Sequence, residues 1–90
     1  IFSDDPVWCH QQKLFDSDRF MISENDHLLD LCMMTLCSDF IIANSSFSWW
    51  GAWLSESKDK TVVAPKNWFG SPLSEQNDTK DLYCPGWVVI

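Results

Sequence analysis

Three small polar residues, Asn44-Ser45-Ser46, follow an apolar run at residues 40–43 and precede a segment that contains three tryptophans. The apolar, β-branched run is typical of a buried parallel strand. The first N–H groups of a helix have no intrahelical partner, and the helix dipole places about half a positive charge there. A strand–turn–helix of this kind can bind an anion without an arginine. Ordinary helix capping explains the same residue types, and the pattern alone favours capping.

The three tryptophans, Trp49, Trp50 and Trp53, lie in the first turns of the helix predicted after this turn. Trp49 and Trp53 are four residues apart and share one helix face, whereas Trp50 is offset from Trp49 by about 100°. The favoured interpretation is that these side chains anchor the helix against the sheet. The alternative is an aromatic platform on which a sugar stacks.

Acidic residues are the other candidates for chemistry. Asp30 interrupts an apolar helix and falls near its few polar residues, which are His27, Thr35 and Ser38. It therefore lies either on a solvated face or towards a cleft, where it could accept N–H bonds from a base or O–H bonds from a ribose. Asp4 and Asp5 follow the first predicted strand, and helix capping is favoured over metal binding for them.

The composition limits the classes of partner. The net charge is −7 and Arg19 is the only arginine, which argues against nucleic-acid binding but not against one nucleotide. No apolar run approaches the roughly 18 residues needed to span a membrane. The four cysteines have no Cys-x-x-Cys spacing, so a zinc site is not expected. We expect reduced thiols in a cytoplasmic protein, with association at a membrane surface left open.

The hydrophobic pattern predicts strands at residues 1–3, 20–23, 40–43 and 61–64, and a final strand or extended segment at 87–90. It predicts helices at 7–14, 24–37 and 47–57, with Pro6 in the first turn of the first helix. Ser23 or Asn25 is the expected cap of the second helix. Residues 66–86 have no clear period and are predicted to be irregular.

This alternation of strands and helices predicts an α/β fold with a parallel sheet and right-handed crossovers, about half of a doubly wound, Rossmann-like domain. Ligands of such sheets bind beyond the carboxyl ends of the strands. Three segments are expected on that rim: Asp4-Asp5, Asn44-Ser45-Ser46 and Pro65-Lys66.

Several segments together resemble a known family: "FSDDPVWC", "DLCMMTLCSDFIIANSSFSWWGAWLS", "VVAPKNWF" and the closing "WVVI". They are similar to the C-terminal part of glycosyltransferase family 11, the α-1,2-fucosyltransferases, and most like the bacterial members. The resemblance implies a two-lobed (GT-B type) enzyme whose donor-binding lobe contains this chain. It further implies transfer of L-fucose from GDP-fucose to the 2-hydroxyl of a galactoside, with inversion and without a required metal or cofactor.

The resemblance also implies site residues. Asn44, Ser45, Ser46 and Phe47 match the motif that meets the diphosphate, and Asp30 matches the acidic residue that contacts guanosine. It does not identify the residue that acts as the catalytic base. The family's arginine-rich motif, His-x-Arg-Arg-x-Asp, is absent. Residues 1–90 are therefore expected to be a partial GDP-sugar-binding domain, inactive alone, that self-associates through an unpaired sheet edge.

Two other classes of protein share some of these features. The acidic pair Asp4-Asp5 and Lys66 mimic features of a phospho-acceptor receiver domain, but the strand at 40–43 ends in Asn44, which cannot accept a phosphoryl group as aspartate does. A carbohydrate- or protein-binding module that uses its tryptophans as a platform is the second alternative.

Overall fold

The computed structural model describes residues 1–69 and 82–90, and it divides into two compact units, residues 1–30 and 31–90. In the first unit, helix α1 spans Pro6–His10. Pro6 occupies the start of the helix, and the Asp5 carboxylate accepts the Trp8 N–H at 3.1 Å, so capping by Asp5 is confirmed. The helix is shorter than the predicted 7–14. The α-helix ends at His10, and the chain then forms a 3-10 turn at Lys13–Phe15.

The strands predicted at residues 1–3 and 20–23 are wrong, because the structure assigns no strand within residues 1–30. The two segments nevertheless meet. The amino group of Ile1 donates to the Met21 carbonyl oxygen (2.7 Å), and the Ser23 N–H donates to the Ile1 carbonyl oxygen (2.9 Å). In a parallel pair of strands, one residue bonds in this way to the two residues that flank its partner. Here Ile1 is the residue that does so, with Met21 and Ser23.

Helix α2 spans His27–Thr35, within the predicted 24–37. Its cap is neither Ser23 nor Asn25. The Asp26 carboxylate accepts the Leu29 N–H at 2.9 Å, and the Asp26 carbonyl accepts the Asp30 N–H at 2.9 Å. Asp26 directly precedes the first helical residue, so its side chain reaches the first-turn N–H groups that the other two candidates do not cap.

The second unit contains a parallel sheet of three strands: β1 (Phe40–Ile41), β2 (Val62–Ala64) and β3 (Val88–Val89), in that order. Phe40 pairs with Val62 and Ile41 with Val63. Val63 and Ala64 pair with Val88 and Val89, respectively. The predicted α/β class and parallel pairing are confirmed, but the sheet is smaller than predicted, since the two N-terminal strands are missing.

The register gives the sheet two different faces. Phe40, Val62 and Ala64 are buried on one face, whereas Ile41, on the other face, is 87% exposed. In the described residues β1 and β3 are the edge strands. Self-association through an edge remains a prediction.

Helix α3 spans Ser46–Leu54, and its buried residues are Gly51 and Ala52. A Cβ atom on Gly51 would lie 2.6 Å from Met34 Cε, so the glycine allows α3 to approach this α2 side chain closely. At the other end, Lys60 Nζ donates to the carbonyl oxygens of Ala52 (2.7 Å), Trp53 (3.3 Å) and Ser55 (2.8 Å). These carbonyls lack intrahelical partners, so Lys60 completes the end of α3.

The irregular segment predicted at 66–86 lies mostly outside the described residues. Residues 82–86 contain turns, and Gly86 has a positive φ of 88°. Among the residues described, no helix is long and apolar enough to cross a membrane.

Candidate functional site

The turn between β1 and α3 is built around Ser45. This residue is extended (φ −136°, ψ 129°), and its hydroxyl oxygen accepts the Ser48 N–H at 3.3 Å. Its carbonyl accepts the Trp49 N–H at 3.0 Å, which is the first hydrogen bond of the helix. Helix capping by Ser45 is therefore confirmed, and capping is compatible with a bound anion because it uses the N–H of Ser48 alone.

Ser46 occupies the first helical position and is exposed. Its N–H is one of the first four N–H groups of the helix, which have no acceptor within the helix. Phe47 follows at the second helical position and is partly buried. The first turn of α3 contains no acidic residue, so no carboxylate of its own offsets the positive end of the helix dipole.

Asn44 connects this turn to the chain that follows β2. Its side-chain nitrogen donates to the Trp68 carbonyl oxygen at 3.2 Å, although the two residues are 24 positions apart. Because β1 and β2 are parallel, their carboxyl ends share one rim, and this hydrogen bond joins the two segments there. Two of the three predicted rim segments are thus neighbours.

A tyrosine that sequence reasoning missed supports the same rim. The Tyr83 hydroxyl lies 2.5 Å from the Pro65 carbonyl oxygen and 3.1 Å from that of Lys66. The Tyr83 ring also packs edge-on against the buried Trp68, with 6.4 Å between ring centroids. No periodic pattern signals this role, because the partners are backbone oxygens distant in sequence.

Asp30 lies in the first unit and is 5% exposed, so the alternative of a solvated face is wrong. Its Oδ1 accepts a hydrogen bond from the Ser23 hydroxyl. The helical wheel grouped Asp30 with other polar residues of α2, but it could not show that Ser23, from the preceding segment, forms a hydrogen bond with it. The structure brings Asn44, Ser45, Ser46 and Phe47 together in one turn, whereas Asp30 belongs to the other unit.

The tryptophans form an aromatic cluster. Trp49 and Trp53 stack, with ring centroids 6.1 Å apart and planes at 9°, and Trp50 meets both edge-on. Trp87 joins the cluster at 6.0 Å from Trp49, whose indole N–H donates to the Leu82 carbonyl oxygen (2.6 Å). Trp50 and Trp53 are about half exposed. Core anchoring is therefore wrong for these two, and the small residues between them form the buried face. The sugar platform stays a prediction.

Within the described residues no group of three or more histidine, cysteine or acidic side chains is arranged to hold a metal ion. All four cysteines are free.

Comparison with known proteins gives the family. The model of Glycosyl transferase family 11 matches residues 1–90. The chain is 33% identical over 91 residues to the O-antigen biosynthesis glycosyltransferase WbnK of Escherichia coli, covering 98% of the chain and 28% of the relative. It is 42% identical over 73 residues to an Alpha-1,2-colitosyltransferase of Escherichia coli, covering 77% of the chain and 25% of the relative.

The chain thus spans about a quarter of the length of these relatives. No solved structure matches it. The family match sets aside the receiver-domain alternative. Because the family model covers the whole of residues 1–90, and that span includes the turn after β1, the chain belongs to glycosyltransferase family 11.

Proposed function

We propose that this chain is the donor-binding part of an enzyme that transfers L-fucose from GDP-fucose to the 2-hydroxyl of a galactoside, with inversion and without a required metal. The observation that carries the proposal is the Asn44-Ser45-Ser46 turn, at the carboxyl rim of a parallel sheet in a family 11 chain. Ligands of open α/β sheets bind at this rim.

In this proposal the diphosphate of the donor lies at the start of α3. Ser46 offers its N–H and its exposed hydroxyl. The Ser45 hydroxyl already accepts a hydrogen bond from Ser48, and its single proton remains to be donated to a phosphate oxygen. These donors would stabilise the negative charge that develops on GDP as the sugar departs, which is electrostatic catalysis at the leaving group.

Asp30, in the first unit, is proposed to contact the guanosine of the donor. In this arrangement residues 1–90 belong to the donor-binding lobe of a two-lobed, GT-B type enzyme. Other parts of the intact protein would supply the acceptor site and the catalytic base, which agrees with the share of each relative that the chain covers.

A second donor sugar is suggested by one relative. The protein that is 42% identical to the chain is named an α-1,2-colitosyltransferase. The name supports an α-1,2 linkage for the product, and it makes colitose the alternative to fucose as the transferred sugar.

Transfer by the intact protein tests the proposal directly. The purified protein is incubated with a β-galactoside and either GDP-fucose or nucleotide-activated colitose, in the presence of EDTA. NMR of the product identifies the linkage, and we expect an α-1,2-fucosylated galactoside. UDP-galactose serves as the control donor. Transfer from activated colitose alone would move the specificity to that sugar, and transfer from UDP-galactose alone would overturn the GDP-sugar assignment.

A further inference from the structure

Ser23 and Asp30 form a hydrogen-bonded pair within the first unit, in which the serine hydroxyl donates to Oδ1 of the carboxylate. With 5% exposure, Asp30 is largely removed from water. Residues 1–30 contain one lysine, Lys13, and one arginine, Arg19. Neither forms an ion pair with Asp30. A buried carboxylate is tolerated only where hydrogen bonds replace its hydration, so the Ser23 hydroxyl is an important partner.

The orientation of the Ser23 hydroxyl is determined by its other contacts. Its oxygen lies 3.3 Å from the Asn25 backbone nitrogen and 3.2 Å from Asn25 Nδ2, and both atoms are donors. A hydroxyl has one proton and two acceptor positions. With its acceptor side occupied by Asn25, the proton points to Asp30. The Ser23 N–H donates to the Ile1 carbonyl oxygen (2.9 Å), which fixes the backbone that carries the hydroxyl.

We infer that Ser23 is a positioning residue that holds the plane of the Asp30 carboxylate for a guanine edge, an inference that rests on the proposed function of Asp30. Guanine presents N1–H and its 2-amino group side by side, and one carboxylate can accept both through its two oxygens. A hydroxyl bound to Oδ1 restricts rotation of the carboxylate about the Cβ–Cγ bond. Ser23 would thus act on base selectivity through Asp30, without contacting the nucleotide.

The test compares the binding of GDP with that of IDP, whose base keeps N1–H but lacks the 2-amino group. Calorimetry on the intact protein gives the Kd of each nucleotide for Ser23→Ala, for Ser23→Thr, which keeps the hydroxyl, and for Ser17→Ala. Ser17 is a matched control, because its hydroxyl also accepts a backbone N–H two residues later but is exposed. Thermal melting checks that each variant is folded.

We expect the IDP-to-GDP ratio of Kd values to fall about three- to tenfold in Ser23→Ala, as for the loss of one hydrogen bond. The ratio should be retained in Ser23→Thr and Ser17→Ala. If Ser23 had only a structural role, Ser23→Ala would weaken the binding of GDP and IDP by the same factor, or it would only lower the melting temperature. An unchanged ratio in folded Ser23→Ala therefore overturns the inference.

Asp30→Asn separates this inference from the proposal on which it rests. If Asp30→Asn lowers the ratio and Ser23→Ala does not, Asp30 contacts guanine and the positioning role of Ser23 is rejected. If folded Asp30→Asn binds both nucleotides like the wild type, Asp30 is not the guanine contact, and the positioning role is rejected with it.

Discussion

Helices α2 and α3 are both nine residues long, but their N-termini differ in charge. The cap of α2 is the Asp26 carboxylate, and Asp30 lies in its first turn. The cap of α3 is the neutral Ser45 hydroxyl, and its first turn contains no acidic residue. Carboxylates offset the positive end of the α2 dipole, whereas the corresponding end of α3 remains available to an external anion. Capping stabilises both helices, and only the neutral cap leaves room for a phosphate.

The largest effect is expected from giving α3 an acidic first turn. Ser46→Asp places a carboxylate where the diphosphate is proposed to bind. Two unit charges about 4 Å apart repel by about 4 kcal/mol at an effective dielectric constant near 20, so GDP affinity should fall by about three orders of magnitude. An acidic residue in the first turn favours the helix itself, so the variant should remain folded. Calorimetry with GDP measures the loss.

The exposed Ser17→Asp change adds the same charge in the first unit and serves as its control. Undiminished GDP binding by folded Ser46→Asp would contradict the phosphate site at α3.

A smaller effect is expected from moving α3 away from α2. Gly51→Ala introduces a Cβ atom 2.6 Å from Met34 Cε and 3.0 Å from Met34 Cβ. Overpacking of this kind lowers the free energy of unfolding by about 1–3 kcal/mol, offset by up to about 1 kcal/mol from the better helix propensity of alanine. Chemical denaturation measures the difference.

In a Met34→Ala background the contacts with Cε and Sδ are absent and only the 3.0 Å contact with Cβ remains, so Gly51→Ala should be less destabilising there. If Gly51→Ala is equally destabilising in both backgrounds, contact with the outer atoms of the Met34 side chain is not what requires glycine.

The smallest effect is expected from removing either cap. Ser45→Ala and Asp26→Ala should each lower the free energy of unfolding by about 1 kcal/mol. The two variants should differ in how they bind phosphate. The ratio of guanosine to GDP affinities isolates the phosphate contribution, and it should change in Ser45→Ala and stay constant in Asp26→Ala. Equal changes in both variants would show that the two N-termini are not functionally distinct.

The second unit was more predictable than the first. The runs at 40–43 and 61–64 are bounded by polar residues and proline, so strand type and parallel pairing followed from local pattern, as did the serine cap of α3. In the first unit, residues 1–3 and 20–23 meet only through the hydrogen bonds of Ile1 and form no strand, because a strand needs successive paired residues and not propensity alone. Ser23, Asn25 and Asp26 are all good caps within four residues, so residue type alone could not choose among them.

The site shows the same division. The turn at Asn44-Ser45-Ser46 was predictable because its chemistry is local. The hydrogen bond of the Asp30 carboxylate was not, since its partner is a side chain seven residues away, and the role of Tyr83 depends on backbone oxygens 17 and 18 residues away.

The contact between Lys60 and the end of α3 restricts which residue can occupy position 60. A lysine ammonium carries three N–H bonds in a tetrahedral arrangement, and here it meets three carbonyl oxygens that converge on one point. A guanidinium is planar, and its donors diverge in a fork, so arginine cannot reproduce this geometry. Acetylation of the ammonium would remove the charge and two of the three donors in one step. Position 60 therefore accepts neither arginine nor acetyl-lysine as an equivalent of lysine.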